Sequence, residues 1–197
     1  MTLRKFFFRY RGLTPLPFII ILLYQSDPTK YGLVYGLWIV ILGESIRIAG
    51  VRQAGGNTRT RRVGAKKLVT SGIYAHVRNP LYLGNILIYG GFAVAAGGPW
   101  VVYLTIFALL YFGIQYGFII SLEETKLTEL FGAKYRAYTA HVPRLLPRLH
   151  RWQGAGQQPP KKWKNVLKSE KSTLLNQAVL LIVIIIKEIT FTQPYVF

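Results

Sequence analysis

The sequence contains no cysteine, little histidine and little acid. Without cysteine among its 197 residues, disulfides, thiolate metal sites and cysteine nucleophiles are excluded. The three histidines (His76, His141 and His150) are scattered, which argues against a histidine metal site, so no metal is expected. Only seven residues are acidic, against 25 lysines and arginines, and the formal net charge is +18. Any catalytic or ligand-binding carboxylate must therefore belong to one of these seven residues.

Long apolar runs alternate with basic segments along the chain. Half of the residues (51%) are hydrophobic, and a soluble domain rarely combines this with such a charge. The pattern is typical of a polytopic membrane protein. Nucleic acid is not expected as a partner, because the cations lie between apolar runs and not on one soluble face. The expected partners are the membrane and its anionic lipid headgroups, which the basic segments would contact.

The apolar runs predict an all-α, polytopic transmembrane helical bundle with about five spans, in a single domain over residues 1–197. A basic, aromatic arm, a short apolar run and a turn come first, at residues 1–11, 13–24 and 26–28. Three longer apolar spans follow, at residues 31–50, 81–96 and 100–122. The last part is predicted to hold an amphipathic cytoplasmic helix or helix pair interrupted near Gly132, an extended strap, a polar linker and a fifth apolar run, at residues 123–140, 142–149, 151–173 and 174–191.

The distribution of cations predicts the orientation. All lysines and arginines except Lys30, Arg47 and Lys187 lie within residues 1–11, 51–78 or 123–173. A cytoplasmic position of these three segments satisfies the positive-inside rule, and the reverse orientation violates it. We therefore expect the N-terminus and the active site on the cytoplasmic side and the C-terminus on the opposite side.

Three polar clusters lie on the expected cytoplasmic side. They comprise Tyr74, His76, Arg78, Asn79 and Tyr82; then Glu123 and Glu124; then Tyr135, Tyr138, His141 and Arg144. A short break at residues 97–99 should fold the third and fourth spans into an antiparallel hairpin. The first two clusters should then be spatial neighbours, although some forty residues separate them.

Adjacent carboxylates at Glu123 and Glu124 repel, and both stay ionised only when partners compensate them. Neighbouring helical residues point about 100° apart. One carboxylate can therefore face a site while the other pairs with Arg78 or Arg144, or the pair can simply cap a helix boundary. In the second span, Glu44 and Arg47 share a helical face. They form either a self-neutralising pair that fixes packing or the lining of a substrate cavity, and both interpretations stay open.

Three motifs of the sequence resemble those of a known family: the pattern G-x-Y-x-x-V-R-N-P-x-Y-x-G at residues 72–84, the Glu123-Glu124 pair and the segment FGAKYRAYTAHVPRLLP at residues 131–147. This family is the integral-membrane methyltransferases, which include the isoprenylcysteine carboxyl methyltransferases and the related phospholipid methyltransferases. The resemblance covers residues 50–149; the linker and extra transmembrane helix at 150–197 lie beyond it. Asn79 stands where the isoprenylcysteine enzymes typically carry histidine, which weakens the assignment to that subgroup.

The resemblance implies S-adenosyl-L-methionine as cofactor, held at the cytoplasmic membrane face. Arginine can bind its carboxylate, glutamate its ammonium or ribose hydroxyls, and tyrosine rings its sulfonium. The cofactor-binding residues expected on this basis are His76, Arg78, Asn79, Pro80, Tyr82, Gly84, Glu123, Glu124, Tyr135 and Tyr138. Candidate catalytic residues are Glu124, Arg144 and Arg47, the last of them toward the methyl acceptor.

The favoured function is methyl transfer to a lipid-like or isoprenylcysteine-type acceptor, such as a lipid or a prenylated amphiphile. Three alternatives are a methyltransferase for a small thiol or amine, a membrane reductase of related architecture, and a non-enzymatic membrane adaptor. The sequence specifies neither the acceptor atom nor the oligomeric state, which is unknown.

Overall fold

A computed structural model describes residues 2–55, 64, 65 and 67–191 of the chain, and the side chains of these residues up to 190. Four cations of the basic segment lie outside the described residues: Arg59, Arg61, Arg62 and Lys66.

The described chain is built from α-helices, as predicted. They are α1 (Leu3–Tyr10), α2 (Leu16–Gln25), α3 (Lys30–Ala54), α4 (Pro80–Ala96), α5 (Val101–His141) and α6 (Trp163–Phe191). A short 3₁₀ turn, Gly72–Ala75, precedes α4. Five of the six helices, α2 to α6, contain or overlap the five predicted apolar runs, although α5 and α6 extend well beyond theirs.

Three of these helices, α3, α5 and α6, are long and apolar enough to cross a membrane. The apolar helices α2 and α4 are shorter, with 10 and 17 residues. Large apolar side chains such as Trp38, Tyr103 and Ile182 are exposed on the outside of the bundle. The chain is therefore an integral membrane protein; a crossing by α2 and α4, and the side on which each terminus lies, stay predictions.

Glycines allow α3 and α4 to pack with their backbones almost in contact. A Cβ atom added at Gly43 would lie 2.7 Å from the carbonyl oxygen of Gly84, and one at Gly36 would lie 2.5 Å from that of Gly91. Small residues at a helix interface permit this approach within a membrane. The seam brings Arg47 of α3 against the first turns of α4.

A tight turn joins α4 to α5, as the sequence predicts. Gly97 and Gly98 have φ angles of 61° and 85°, in the left-handed region that favours glycine. The backbone N–H of Asp27 donates to the carbonyl of Ala96 (3.0 Å), and the N–H of Gly98 donates to the carbonyl of Asp27 (3.0 Å). The turn therefore also holds the end of α2, and α4 and α5 form the expected antiparallel hairpin.

The amphipathic segment predicted after the fourth span is a direct continuation of α5, which extends to His141. Its one non-helical residue is Gly132 (φ 49°, ψ −120°), where the sequence predicts an interruption. The strap at residues 142–149 is non-helical, as expected. It is pinned to the start of α4, because the N–H of Arg78 donates to the carbonyl of Pro143 (2.9 Å).

The predicted linker over residues 151–173 is wrong in its second half, because α6 begins at Trp163. Lys164 and Lys168 of its first turns are exposed, whereas Val166 and Glu170, four residues apart on one face, are buried. The lysine content conceals this amphipathic pattern. Further along α6, the ammonium of Lys187 donates to the carbonyl of Leu23 at the end of α2 (2.8 Å).

Candidate active site

A cluster of carboxylates and arginines joins the start of α4 to the middle of α5. The hydroxyl of Tyr82 donates to Oε1 of Glu123 (2.8 Å). The carboxylate of Glu124 lies 3.2 Å from Nη2 of Arg78 and 2.5 Å from Nη2 of Arg144. The predicted adjacency of the two clusters is thereby confirmed, and Glu124 takes the arginine partners that the sequence suggests.

The turn that carries Arg78 is held by the strap. Pro80 occupies the first position of α4, where its missing N–H costs nothing. The side-chain amide of Asn79 donates to the carbonyl of Arg144 (3.1 Å), and the guanidinium of Arg78 donates to the carbonyl of Thr139 (3.3 Å). These bonds fix the orientation of Arg78 relative to α5.

Tyrosines from the end of α5 close the cluster from a second side. Tyr135 and Tyr138 are buried with ring centroids 6.0 Å apart, and the hydroxyl of Tyr138 donates to the carbonyl of Tyr74 (2.7 Å). Burial, with the Glu123 carboxylate as a second cause, raises the pKa of Tyr74 above its ordinary value. The Tyr74 phenol therefore stays protonated and can act as a hydrogen-bond donor.

A cavity of about 1170 Å³ extends from this cluster between the helices. Its polar lining includes Arg78, Asn79, Tyr82, Glu123, Tyr135 and Tyr138, and Pro80 lies among them. Later turns of α4 line it with Ile88 and Phe92, and α2 and α6 add apolar side chains such as Leu23 and Val183. Along α4, the lining thus changes from polar to apolar.

Arg47 lies in the wall of the same cavity, at the centre of a buried polar network. Its guanidinium donates to Glu44 (3.2 Å), to Glu170 of α6 (2.6 Å) and to the side-chain oxygen of Asn85. The amide of Gln177 donates to Glu44 (2.9 Å). Arg47 therefore fixes helix packing and also lines the cavity, and a role of this cavity in binding substrate stays a prediction.

Several predicted site residues do not line the cavity. His76 faces a separate surface groove, and its Nδ1 lies 3.0 Å from the carbonyl oxygen of Arg148. A Cβ at Gly84 would meet Arg47 and Gly43 of α3, so this glycine serves the helix seam. Glu124 and Arg144 lie beside Arg78 rather than on the wall, where Glu123 is placed.

The sequence interpretation missed the members of the network on α4 and α6: Asn85, Glu170 and Gln177. Glu170 belongs to the segment that was predicted to be a linker. A helical reading of residues 163–177 places Glu170, Thr173 and Gln177 on one face, and all three line the cavity. That spacing is the signal that could have found them.

The cluster leaves part of its hydrogen-bonding capacity unused. Nε of Arg78 and Oε1 of Glu124 are buried and have no hydrogen-bond partner among the described residues, since the 3.2 Å contact of that oxygen with Arg78 lacks hydrogen-bond geometry. Buried polar atoms are seldom left unpaired, so each such case needs an explanation. The arrangement can bind a ligand that accepts from a guanidinium and donates to a carboxylate.

The fold is that of a helical membrane protein with a cavity that carries a charged cluster at one end and apolar side chains at the other. The model of one protein family, phospholipid methyltransferase, matches residues 31–134, which is more than half of the chain. The chain belongs to this family. The match includes α3, which the resemblance had left out, and ends before the strap.

Several individual proteins that are similar to this chain are named as methyltransferases. Methanethiol S-methyltransferase of Pseudomonas deceptionensis is 33% identical over 64% of this chain and 47% of its own length. Protein-S-isoprenylcysteine O-methyltransferase B of Arabidopsis thaliana is 32% identical over 57% of this chain and 58% of its own length. The Homo sapiens protein-S-isoprenylcysteine O-methyltransferase is 30% identical over 58% of this chain and 40% of its own length. The chain thus spans about half the length of the curated relatives that it matches, and no solved structure matches it.

Proposed function

We propose that the protein is an S-adenosyl-L-methionine-dependent membrane methyltransferase acting on a lipid-like or isoprenylcysteine-type acceptor. The observation that carries the proposal is the single cavity that joins the Arg78–Glu123 wall to apolar surface between α2, α4 and α6. A water-soluble cofactor can reach the polar part, and an amphiphile can reach the apolar part from the bilayer. Bound S-adenosyl-L-methionine would supply the electrophilic methyl group.

The residues of the polar wall suit this cofactor. Arg78 can bind a carboxylate through charge-assisted hydrogen bonds, and Glu123 can accept from an ammonium or from ribose hydroxyls. Glu124, which lies off the wall, would hold the Arg78 guanidinium in place through their 3.2 Å ion pair. The rings of Tyr82 and Tyr135 can support a sulfonium by cation–π contact. Pro80, Asn79 and Arg144 would act by holding Arg78 and the strap in place.

On the acceptor side, Arg47 lies in the cavity wall between the polar cluster and the apolar lining. Methyl transfer is an in-line displacement, in which most catalysis consists of positioning the reactants. None of the three histidines lines the cavity. A carboxylate acceptor is already ionised and needs no general base, so this lining favours it over an amine or a thiol, each of which must lose a proton.

The size of the cavity helps to decide among acceptors. Cavities of roughly 300–1000 Å³ hold ligands of drug size. A volume of about 1170 Å³ can accommodate the cofactor together with the head and first part of a lipid-like chain. A small thiol is the second candidate, supported by the similarity to methanethiol S-methyltransferase of Pseudomonas deceptionensis. Family membership weighs against a reductase or an adaptor.

We place the site on the cytoplasmic side, together with the N-terminus, and the C-terminus on the opposite side. The exposed lysines at the start of α6 would then contact anionic lipid headgroups. Because the chain has no cysteine, a single Lys134→Cys variant gives an unambiguous label. If this cysteine reacted with an impermeant probe only from the outer face, the orientation would be the opposite of the one proposed.

Calorimetric binding of S-adenosyl-L-methionine to the purified full chain in detergent tests the cofactor site. We expect Arg78→Ala and Glu124→Gln to weaken binding at least about tenfold, because each removes a charge-assisted hydrogen bond. Glu129→Gln is the matched control, since Glu129 is exposed and, among the described residues, pairs with Lys126 on the same helix. Unchanged affinity in folded Arg78→Ala and Glu124→Gln variants would refute the assignment.

The acceptor can be identified with a cofactor that carries an isotopically labelled methyl group. Mass spectrometry of lipid extracts incubated with the protein should show label in an organic-soluble product. Label confined to a small volatile thioether would instead support the second candidate.

A further inference from the structure

Arg11, on the N-terminal arm, lines the same cavity as Glu123 and Tyr82. It lies outside the part of the chain that the family model matches, residues 31–134. It was also absent from the predicted site, because nothing local in the arm distinguishes it from Arg4, Lys5 or Arg9.

The arm is packed in a way that holds Arg11 at the cavity. Phe8 is buried, and the ring of Phe7 stacks on Phe118 of α5 with centroids 5.6 Å apart. The guanidinium of Arg11 lies 4.4 Å from the centroid of the Phe8 ring and donates to the carbonyl of Phe8 (2.9 Å). The side chain is thus oriented by a buried aromatic anchor and does not extend freely into solvent.

The charges of the cluster explain what Arg11 does there. Two adjacent carboxylates can both stay ionised only when each is compensated. Glu124 has Arg78 and Arg144 as ion-pair partners. Glu123 accepts a hydrogen bond from Tyr82, which carries no charge. Burial and the neighbouring Glu124 oppose ionisation of Glu123, whereas the hydrogen bond from Tyr82 and the positive charge of Arg11, in the lining of the same cavity, favour it.

We propose that Arg11 is a positioning residue of the cofactor site, which acts by holding Glu123 ionised and directed into the cavity. The proposal rests on the proposed function. Glu123 can then accept from an ammonium or a ribose hydroxyl of the ligand, which a protonated carboxyl does less well. The N-terminal arm thereby completes a site whose other walls come from α4, α5 and the strap.

A purely structural role for Arg11 is the rival explanation, because its bond to the Phe8 carbonyl also caps α1. The two explanations differ in their dependence on Glu123. A cap acts whether or not Glu123 carries charge, whereas a positioning residue loses its effect once the carboxylate is replaced. A double-mutant cycle measures this difference.

The experiment is calorimetric binding of S-adenosylhomocysteine to the full chain in detergent. The variants are Arg11→Gln, Arg11→Lys, Glu123→Gln and the double variant Arg11→Gln/Glu123→Gln. Arg9→Gln is the matched control, because Arg9 is an exposed cation of the same arm. Arg11→Met keeps the aliphatic stem over Phe8 and serves as a second charge-removing variant if Arg11→Gln does not fold.

We expect Arg11→Gln and Arg11→Met to weaken binding about tenfold, and Arg11→Lys to restore most of it. In the Glu123→Gln background, Arg11→Gln should change affinity less than about twofold. Arg9→Gln should bind like the unmodified protein.

Two results overturn the inference alone: unchanged binding in Arg11→Gln, or an equal loss in both backgrounds. If the unmodified protein does not bind S-adenosylhomocysteine, the proposed function itself is refuted, and this inference with it.

Discussion

The seam between α3 and α4 makes a sharp prediction about Gly84. A methyl group added there would lie 2.5 Å from the carbonyl oxygen of Gly43 and 2.5 Å from Cγ of Arg47. Neither neighbour can yield easily. Gly43 contributes backbone, and the head of Arg47 is bound to Glu44 and Glu170. Gly84→Ala must therefore push the two helices apart.

The magnitude follows from the overlap. Carbon atoms in contact need about 3.5 Å, so the helices must separate by roughly an ångström or the bonds of Arg47 must break. Overpacking of a close-packed interior costs about 1–3 kcal/mol. The same substitution at Gly113 of α5 meets nothing within 4 Å. Gly113→Ala should therefore be neutral or stabilising, because alanine is the better helix former.

Thermal unfolding of the detergent-purified variants, followed by circular dichroism, measures the difference. We expect Gly84→Ala to unfold several degrees below the unmodified protein, and Gly113→Ala at or above it. Cofactor binding should also weaken in Gly84→Ala, because Tyr82 lies two residues and Arg78 six residues before it in the chain. Equal unfolding temperatures for the two variants would show that the seam is not packed backbone to backbone.

Three further changes test other parts of the structure. Glu170→Gln should destabilise the protein by about 1.5–3 kcal/mol, because it weakens one charge-assisted hydrogen bond of Arg47, which keeps Glu44 as its counter-charge. Reversible unfolding in sodium dodecyl sulfate measures this, with the exposed Glu129→Gln as control, and a loss no larger than the control's contradicts it. Gly132→Ala should lower the free energy of unfolding by about 1–3 kcal/mol in the same assay, because the φ of 49° and ψ of −120° at this position suit only glycine, although the space around it is open. An unchanged stability would mean that the backbone of α5 is regular there. Gln158→Ala removes the hydrogen bonds of this side chain with the carbonyl of Leu68 (2.8 Å) and the hydroxyl of Ser71 (2.8 Å). Trypsin should then cut after Arg151 faster than in the unmodified protein, and equal cutting rates would show that Gln158 does not hold the segment around Arg151 in place.

Much of the fold could be predicted because its determinants are local. An apolar run marks each of the helices α2 to α6, and paired glycines mark the turn between α4 and α5. From that turn alone, the meeting of Arg78 with Glu124 follows by geometry. The pairing of Arg78 with Glu124 could therefore be predicted from the sequence.

The missed features depend on contacts between distant segments. Glu170 bonds to Arg47 across 123 residues, and Arg11 lines the same cavity as Glu123, more than a hundred residues further along the chain. No spacing rule connects such positions before the fold is known. Gly84 shows a different obstacle, because a glycine indicates a close approach but not its direction. The sequence suggested approach to a ligand, whereas the neighbour is α3.

The attachment of α6 has a consequence for how this helix can move. Glu170, Gln177 and Lys187 bond to α3 and α2 at three different depths along its axis. A shift by one residue would rotate α6 by about 100° and translate it by about 1.5 Å, which would break all three bonds together. The helix can therefore not slide or turn gradually. Its register is either kept or lost as a whole, and with it the acceptor wall of the cavity.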